Sequence, residues 1–153
     1  EASSMEVKKI LCAVDLEDTI APSVEYAKMM ASMTGASILV AYVIPAHTPY
    51  EDVYLSVNNQ PNEVNNPNET IQKSMNDLLA EQFAGMDATG VILVGRPSEE
   101  LVKLAEEKGA NLIVMGTHGR AGFDRLLFGS VAHEVVRAAP CPVMTVRPLM
   151  PKK

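Results

Sequence analysis

Five short apolar runs, each followed or preceded by a stretch with helical spacing, constrain this chain more than anything else in it. The runs are Ile10-Leu11-Cys12-Ala13-Val14, Ser37–Val43, Gly90–Val94, Asn111–Met115 and Val143–Val146. An unbroken apolar run of this length, without polar alternation, is the pattern of a strand buried on both faces, and such strands belong to parallel sheets. Between the runs the apolar residues recur at three- and four-residue steps, as in amphipathic helices. The first helix is predicted from about Ile20 to Met33, with Ile20, Val24, Ala27 and Ala31 on its buried stripe, Pro22 in its first turn and Gly35 as its stop. A second runs over Glu69–Phe83, with Ile71, Met75, Leu78, Leu79 and Gln82 in register. A third starts at Ser98 as N-cap, carries Glu99 and Glu100 in its first turn, buries Leu101, Leu104 and Ala105, and ends at Gly109. The acids Glu99, Glu100, Glu106 and Glu107 are expected to form its solvated face. A fourth helix runs from Ser130 to about Ala138. The alternation β-α-β-α-β-α-β-α-β predicts an α/β fold: a single-domain, doubly wound, five-stranded parallel sheet with helices on both faces.

Composition narrows the function. The chain has 153 residues, 47% hydrophobic and 21% charged, with a formal net charge of −6. That balance argues against broad contact with nucleic acid or an anionic membrane, since little positive charge is present to neutralise phosphates. No apolar run approaches the length of a membrane span, and the start lacks a basic-then-apolar signal, so a cytoplasmic protein is expected. Glu1-Ala2-Ser3-Ser4 ahead of Met5 reads as an expression remnant, which leaves residues 5–148 as the domain. Cys12 and Cys141 sit in apolar contexts and read as buried free thiols. From Pro45 to Pro67 the pattern is lost among prolines and asparagines, which predicts a long mobile loop within the domain, with room for a helical turn around Tyr50–Val57.

The chemistry concentrates at two strand ends. The run ending at Met115 breaks into Gly116-Thr117-His118-Gly119-Arg120-Ala121-Gly122, and Gly129-Ser130 follows ten residues after Gly119. A strand that breaks into glycines before a helix brings backbone N–H groups close to phosphate oxygens. Gly129 would open the last helix, Ser130 could offer its N–H and hydroxyl, and Arg120 and Arg125 add positive charge in an acidic protein. The string is neither a P-loop nor the dinucleotide fingerprint, and taken alone its lesser reading is a glycine-rich surface turn that merely connects strand to helix. Asp15, at the end of the first run, could accept hydrogen bonds from a ribose hydroxyl or an adenine amino group, or simply cap the segment from Leu16 to Ile20. In open parallel sheets ligands bind beyond the carboxyl ends of the strands, where the winding reverses. Asp15 and Gly116 would meet there if their strands are neighbours. His47, His118 and His133 lack the spacing of a zinc site and read as solvated, and no arrangement resembles a Ser-His-Asp triad.

Taken together, Ile10–Asp15, Ser37–Val43 and the chain from Gly95 onward resemble the universal stress protein family. The most specific part is Gly116-x-x-Gly119, nine residues, then Gly129-Ser130, which is similar to the ATP-binding branch; Leu112–Gly119, Arg125–Val131 and Ala139–Val143 match as well. The resemblance implies a Rossmann-like fold of the adenine nucleotide alpha hydrolase type. It implies that Asp15 contacts adenine or ribose, that Ala13 and Val43 line the adenine pocket, and that Met115 and Gly116 lie beside the ribose. Gly119 and Arg120 would then stand near the phosphates of ATP, with Mg²⁺, and Gly129, Ser130 and Val131 would hold the phosphate end. It also implies a homodimer through Val143–Val146, in keeping with the general tendency of an edge strand to pair. The expected function is a nucleotide-dependent switch or sensor in stress response. The alternatives are an interaction module of the same fold that binds no nucleotide, and a slow ATPase. No residue stands out as a general base, so efficient hydrolysis is not expected.

Overall fold

The structure, a computed structural model, describes residues 6–16, 21–45, 63, 64, 67, 69–117 and 125–147, without the side chains of 125–129. Among these residues the chain forms β1 (Lys9–Ala13), α1 (Pro22–Thr34), β2 (Ser37–Pro45), α2 (Glu69–Gln82), β3 (Ala88–Gly95), α3 (Pro97–Lys108), β4 (Leu112–Gly116), α4 (Arg125–Ala138) and β5 (Val143–Val146). The strands form one sheet in the order β3-β2-β1-β4-β5, and every pair of neighbours is parallel. The predicted fold class is the observed one.

The two-residue period of a strand sends alternate side chains to opposite faces, and both faces here are buried. Ile10, Cys12 and Val14 join Val24, Ala27 and Ala31 of α1 and Met75 and Leu78 of α2. Leu11 and Ala13 join Leu101, Leu104 and Ala105 of α3 and Val131, Ala132 and Val135 of α4. Helices α1 and α2 therefore cover one face, α3 and α4 the other. Each fully buried Leu, Ile or Val contributes about 1.5–3 kcal/mol through removal from water, which is why unbroken apolar runs are tolerated, and required, in the central strands.

Boundaries shift modestly. β2 runs on to Pro45, which stands opposite Gly95 at the end of β3. The helix start predicted at Ile20 lies outside the described residues, and α1 begins with Pro22 in its first turn. Gly35 ends it with φ 78°, its N–H donating to the Ala31 carbonyl at 2.8 Å. α3 starts earlier than Ser98. Pro97 occupies the opening position, where its fixed φ fits and its missing N–H costs nothing, so the cap residue is Arg96 and no side chain caps the helix.

Most of the predicted loop, Pro45–Pro67, lies outside the described residues, but its far end is tied to the sheet. Glu63 forms an antiparallel bridge with Leu93, the Val64 N–H donates to the Ile92 carbonyl at 2.7 Å, and Val64 is buried in the α1–α2 core. The expectation of a mobile loop does not hold for these two residues. A β-branched side chain that can enter a core outweighs the prolines and asparagines around it.

Candidate functional site

β1 has β2 on one side and β4 on the other. The chain winds from β1 through β2 to β3, then returns to place β4 and β5 on the opposite side. The winding thus reverses between β1 and β4, and the two chemical signals of the sequence lie at this point. Asp15 follows the end of β1 and Gly116 is the last residue of β4. The paired register of β1 with β4 stops at Cys12–Val114, whereas β4 stays paired with β5 through Gly116–Val146. The Thr117 N–H extends that pairing by donating to the Val146 carbonyl at 3.0 Å. The carboxyl end of β4 is therefore held from the β5 side, beyond its last register pair with β1.

The structure brings four of the predicted apolar residues together. Ala13, Met115 and Val131 are buried in the α3–α4 core, and Val43 packs against it half-buried. They come from β1, β4, α4 and β2, so one cluster underlies the switch point. Met115 is fully buried. Its side chain belongs to the core, and it can meet a ligand only through its backbone. Asp15 and Gly116 are half-buried, and Ser130 is exposed on α4. Gly119 and Arg120 lie outside the described residues.

Gly129 does not open the last helix. α4 begins at Arg125, so Gly129 and Ser130 lie inside it. Arg125, Leu126, Leu127 and Phe128 all accept helical conformation, and one interior glycine costs only about 1 kcal/mol, too little to stop a helix that packs well. The first four N–H groups of a helix have no acceptor within it; in α4 these belong to residues 125–128 rather than to Gly129 and Ser130.

A second polar group, which sequence reasoning missed, ties α3 to α4. The Ser98 hydroxyl donates to Glu134 Oε1, and Arg96 Nη2 donates to Glu134 Oε2 at 3.0 Å. Arg96 also reaches Glu99 at 3.5 Å. The Ser98 hydroxyl, followed by the positive charge of Arg96, holds the Glu134 carboxyl below the usual carboxylate range. Together with Val102, Lys103 and Ala138 these residues line an open groove between the two helices.

Glu100 corrects another expectation. It is buried, not part of the solvated face. Its carboxylate lies 3.3 Å from Lys103 Nζ, and its chain packs on Gly95, where a Cβ would stand 2.9 Å from Glu100 Cγ. The positive end of the helix favours an acid in this turn, and the bare backbone of Gly95 makes the room.

Elsewhere the chemistry is quiet. Burial pushes the Cys12 thiol up to about 12, and Cys141 is only half-buried, where burial was expected. Among the described residues no cluster of three or more His, Cys, Asp or Glu could hold a metal, and no helix is long and apolar enough to cross a membrane.

Comparison with known proteins gives a consistent answer. The model of the universal stress protein family matches residues 6–147. The universal stress protein MJ0531 of Methanocaldococcus jannaschii is 33% identical over 95% of this chain and 84% of its own. A universal stress protein solved in complex with cAMP superposes with a TM-score of 0.66 at 22% identity, covering 93% of this chain and 98% of that one. A universal stress protein from Archaeoglobus fulgidus in complex with dAMP gives a TM-score of 0.61 at 22% identity, covering 91% and 97%. With the reversed sheet winding, the apolar cluster beneath it and a match spanning nearly the whole chain, this protein belongs to the universal stress protein family.

Proposed function

We propose that this chain binds ATP at the β1–β4 crevice and acts as a nucleotide-dependent switch or sensor. The observation that carries this reading is the adjacency of β1 and β4, which sets Asp15 and Gly116 at one reversal of the winding. Relatives of the same fold were solved with the adenine nucleotides cAMP and dAMP, which supports the ligand class. In this reading Asp15 accepts from adenine or ribose, Ala13 and Val43 line the base pocket, and the Met115 backbone and Gly116 border the ribose. Gly119 and Arg120 approach the phosphates, with Mg²⁺ as counter-charge. Gly129, Ser130 and Val131 hold the phosphate end. Because α4 begins at Arg125, the Gly129 amide becomes free for phosphate only when the first turn of α4 opens; the exposed Ser130 needs no such change. We assign no general base, and expect at most slow hydrolysis. The protein would work in the cytoplasm as a homodimer through Val143–Val146.

Calorimetric titration with ATP, with and without Mg²⁺, tests this reading. Mass spectrometry of denatured protein, looking for nucleotide retained through purification, accompanies it. About one ATP per chain is expected. No heat and no retained nucleotide from a folded sample would favour an interaction module instead. Gly119→Val places a side chain in the phosphate path and is expected to abolish ATP binding while leaving thermal stability unchanged. Asp15→Ala is expected to weaken ATP more than inorganic triphosphate, and equal losses would remove Asp15 from the base-and-ribose role.

A further inference from the structure

The polar cluster that ties α3 to α4 lies one helical turn from Ser130. The two helices run in the same direction, each returning from the carboxyl end of a strand in the parallel sheet. Ser98 and Val102 stand one turn apart on α3, Glu134 and Ala138 one turn apart on α4, and all four line the groove between them. One turn before Glu134, on the same stripe of α4, is the exposed Ser130; the Cβ atoms of such a pair are about 6 Å apart. Ser130 therefore stands at the mouth of the groove. Val131 and Val135, which flank this stripe, are buried with Ala13 and Met115, so packing fixes the stripe over the switch point.

Arg96 is the movable member of the cluster. It comes two residues before Ser98, at the cap of α3, and so enters the groove from the Ser130 side of Glu134. Its side chain is 61% exposed and lies in an open groove of about 440 Å³, where it can turn without displacing packed neighbours. Two carboxylates share its guanidinium, Glu134 at 3.0 Å and Glu99 at 3.5 Å. Lys103, also on the groove, is committed to the buried Glu100 at 3.3 Å. Glu134 has a second partner in the Ser98 hydroxyl, and keeps that hydrogen bond when the guanidinium leaves. A phosphate is the group that would draw the guanidinium off, because its oxygens match the arginine fork and a terminal phosphate carries more charge than a carboxylate.

We propose that Arg96 determines specificity for the phosphate chain by exchanging Glu134 for the terminal phosphate of a nucleotide held at Ser130. The inference rests on the nucleotide reading of the β1–β4 crevice and adds how ATP is told from AMP, whose single phosphate stops short of Ser130. Glu134 is the competitor. Its carboxyl is held below the usual range and is ionised at neutral pH; it both occupies Arg96 and repels a phosphate one turn away. Removing the charge of Glu134 and removing that of Arg96 should then act in opposite directions, whereas a merely structural clamp would suffer from both.

Calorimetric titration of the full chain with ATP and with AMP tests it, while circular dichroism and thermal melting confirm that each variant folds. Arg96→Gln is expected to weaken ATP about tenfold and to leave AMP unchanged. Glu134→Gln keeps an acceptor for Ser98 and is expected to tighten ATP about tenfold, again without effect on AMP. Arg96→Lys keeps the charge without the fork and should lose less than Arg96→Gln. Glu106→Gln, the same charge change at an exposed position further along α3, is expected to change neither affinity. A parent that binds no ATP overturns both the nucleotide reading and this inference. A parent that binds ATP, with Arg96→Gln leaving that affinity unchanged or weakening ATP and AMP alike, overturns the inference alone. So does a Glu134→Gln variant that binds ATP no more tightly than the parent.

Discussion

The two edges of the sheet solve the same problem in opposite ways. An edge strand leaves a row of unpaired N–H and C=O groups that invites pairing with another chain. At β3 the chain covers its own edge. Glu63 bridges Leu93, and Val64 drops into the core beside it. At β5 the outward groups of Val143 and Thr145 meet no such cover among the described residues. One edge is closed by packing and the other, among the described residues, is not. Stability should therefore respond more to changes at β3 than to changes on the outer side of β5.

The largest effect is expected at the closed edge. Val64→Asp would place a carboxylate in the α1–α2 core without a cation beside it, and should destabilise the protein by about 3 kcal/mol or more. Thermal or urea unfolding measures this, and a change near zero would mean that Glu63–Val64 does not seal β3. Gly95→Ala comes next. Gly95 has φ 146°, and a Cβ there would press on Glu100, so a loss of about 1–3 kcal/mol is expected from backbone strain alone. Thr145→Pro, at the open edge, should change the stability of the isolated chain by less than about 1 kcal/mol, since the lost donor points away from β4. A larger loss would show that β5 is not free on its outer side.

Thiol labelling sharpens the comparison by rate. Only the thiolate reacts, and burial holds Cys12 near 12 in the middle of the sheet. Cys141, just before β5, is half-buried and raised less severely. A thiol reagent at neutral pH should modify Cys141 first and reach Cys12 only on unfolding. Equal rates would contradict the central placement of β1.

The smallest effect belongs to the seam between the edges, where Ser98 and Arg96 hold Glu134. A carboxyl depressed in the folded state adds stability above its unfolded pKa, and loses it as the pH falls through the folded value. Ser98→Ala should move the Glu134 carboxyl up towards the ordinary 4.5, read by NMR titration of its side-chain carbon. An unchanged titration would remove the hydroxyl as the leading cause.

The strands were legible because burial on both faces demands unbroken apolar runs, and Leu112–Met115 or Ile10–Ala13 admit little else. The site was legible in parts. Asp15 and Gly116 announced themselves as strand ends, but nothing local in the sequence says that β1 lies beside β4; that adjacency is a property of the winding. Glu100 was misread because acids in a helix ordinarily face water, and only its fit against Gly95 reveals otherwise. Gly129 was misread because glycine so often marks a helix boundary, and here packing carries the helix through it. Glu63 and Val64 were hidden among residues that signal a loop, since a bridge to a distant strand leaves no periodicity.

The anchoring of Glu63 and Val64 also bears on how this chain can change in length. β2 ends at Pro45, and the chain is fixed again at Glu63, beside the neighbouring strand β3. Pro45 and Glu63 are thus both fixed to the same region of the sheet. Each doubling of a flexible loop between two fixed points costs only about 0.6 kcal/mol of closure entropy. Residues can be gained or lost between these two anchors with little penalty to the fold, which makes this stretch the natural place to graft a sequence without disturbing β1 and β4.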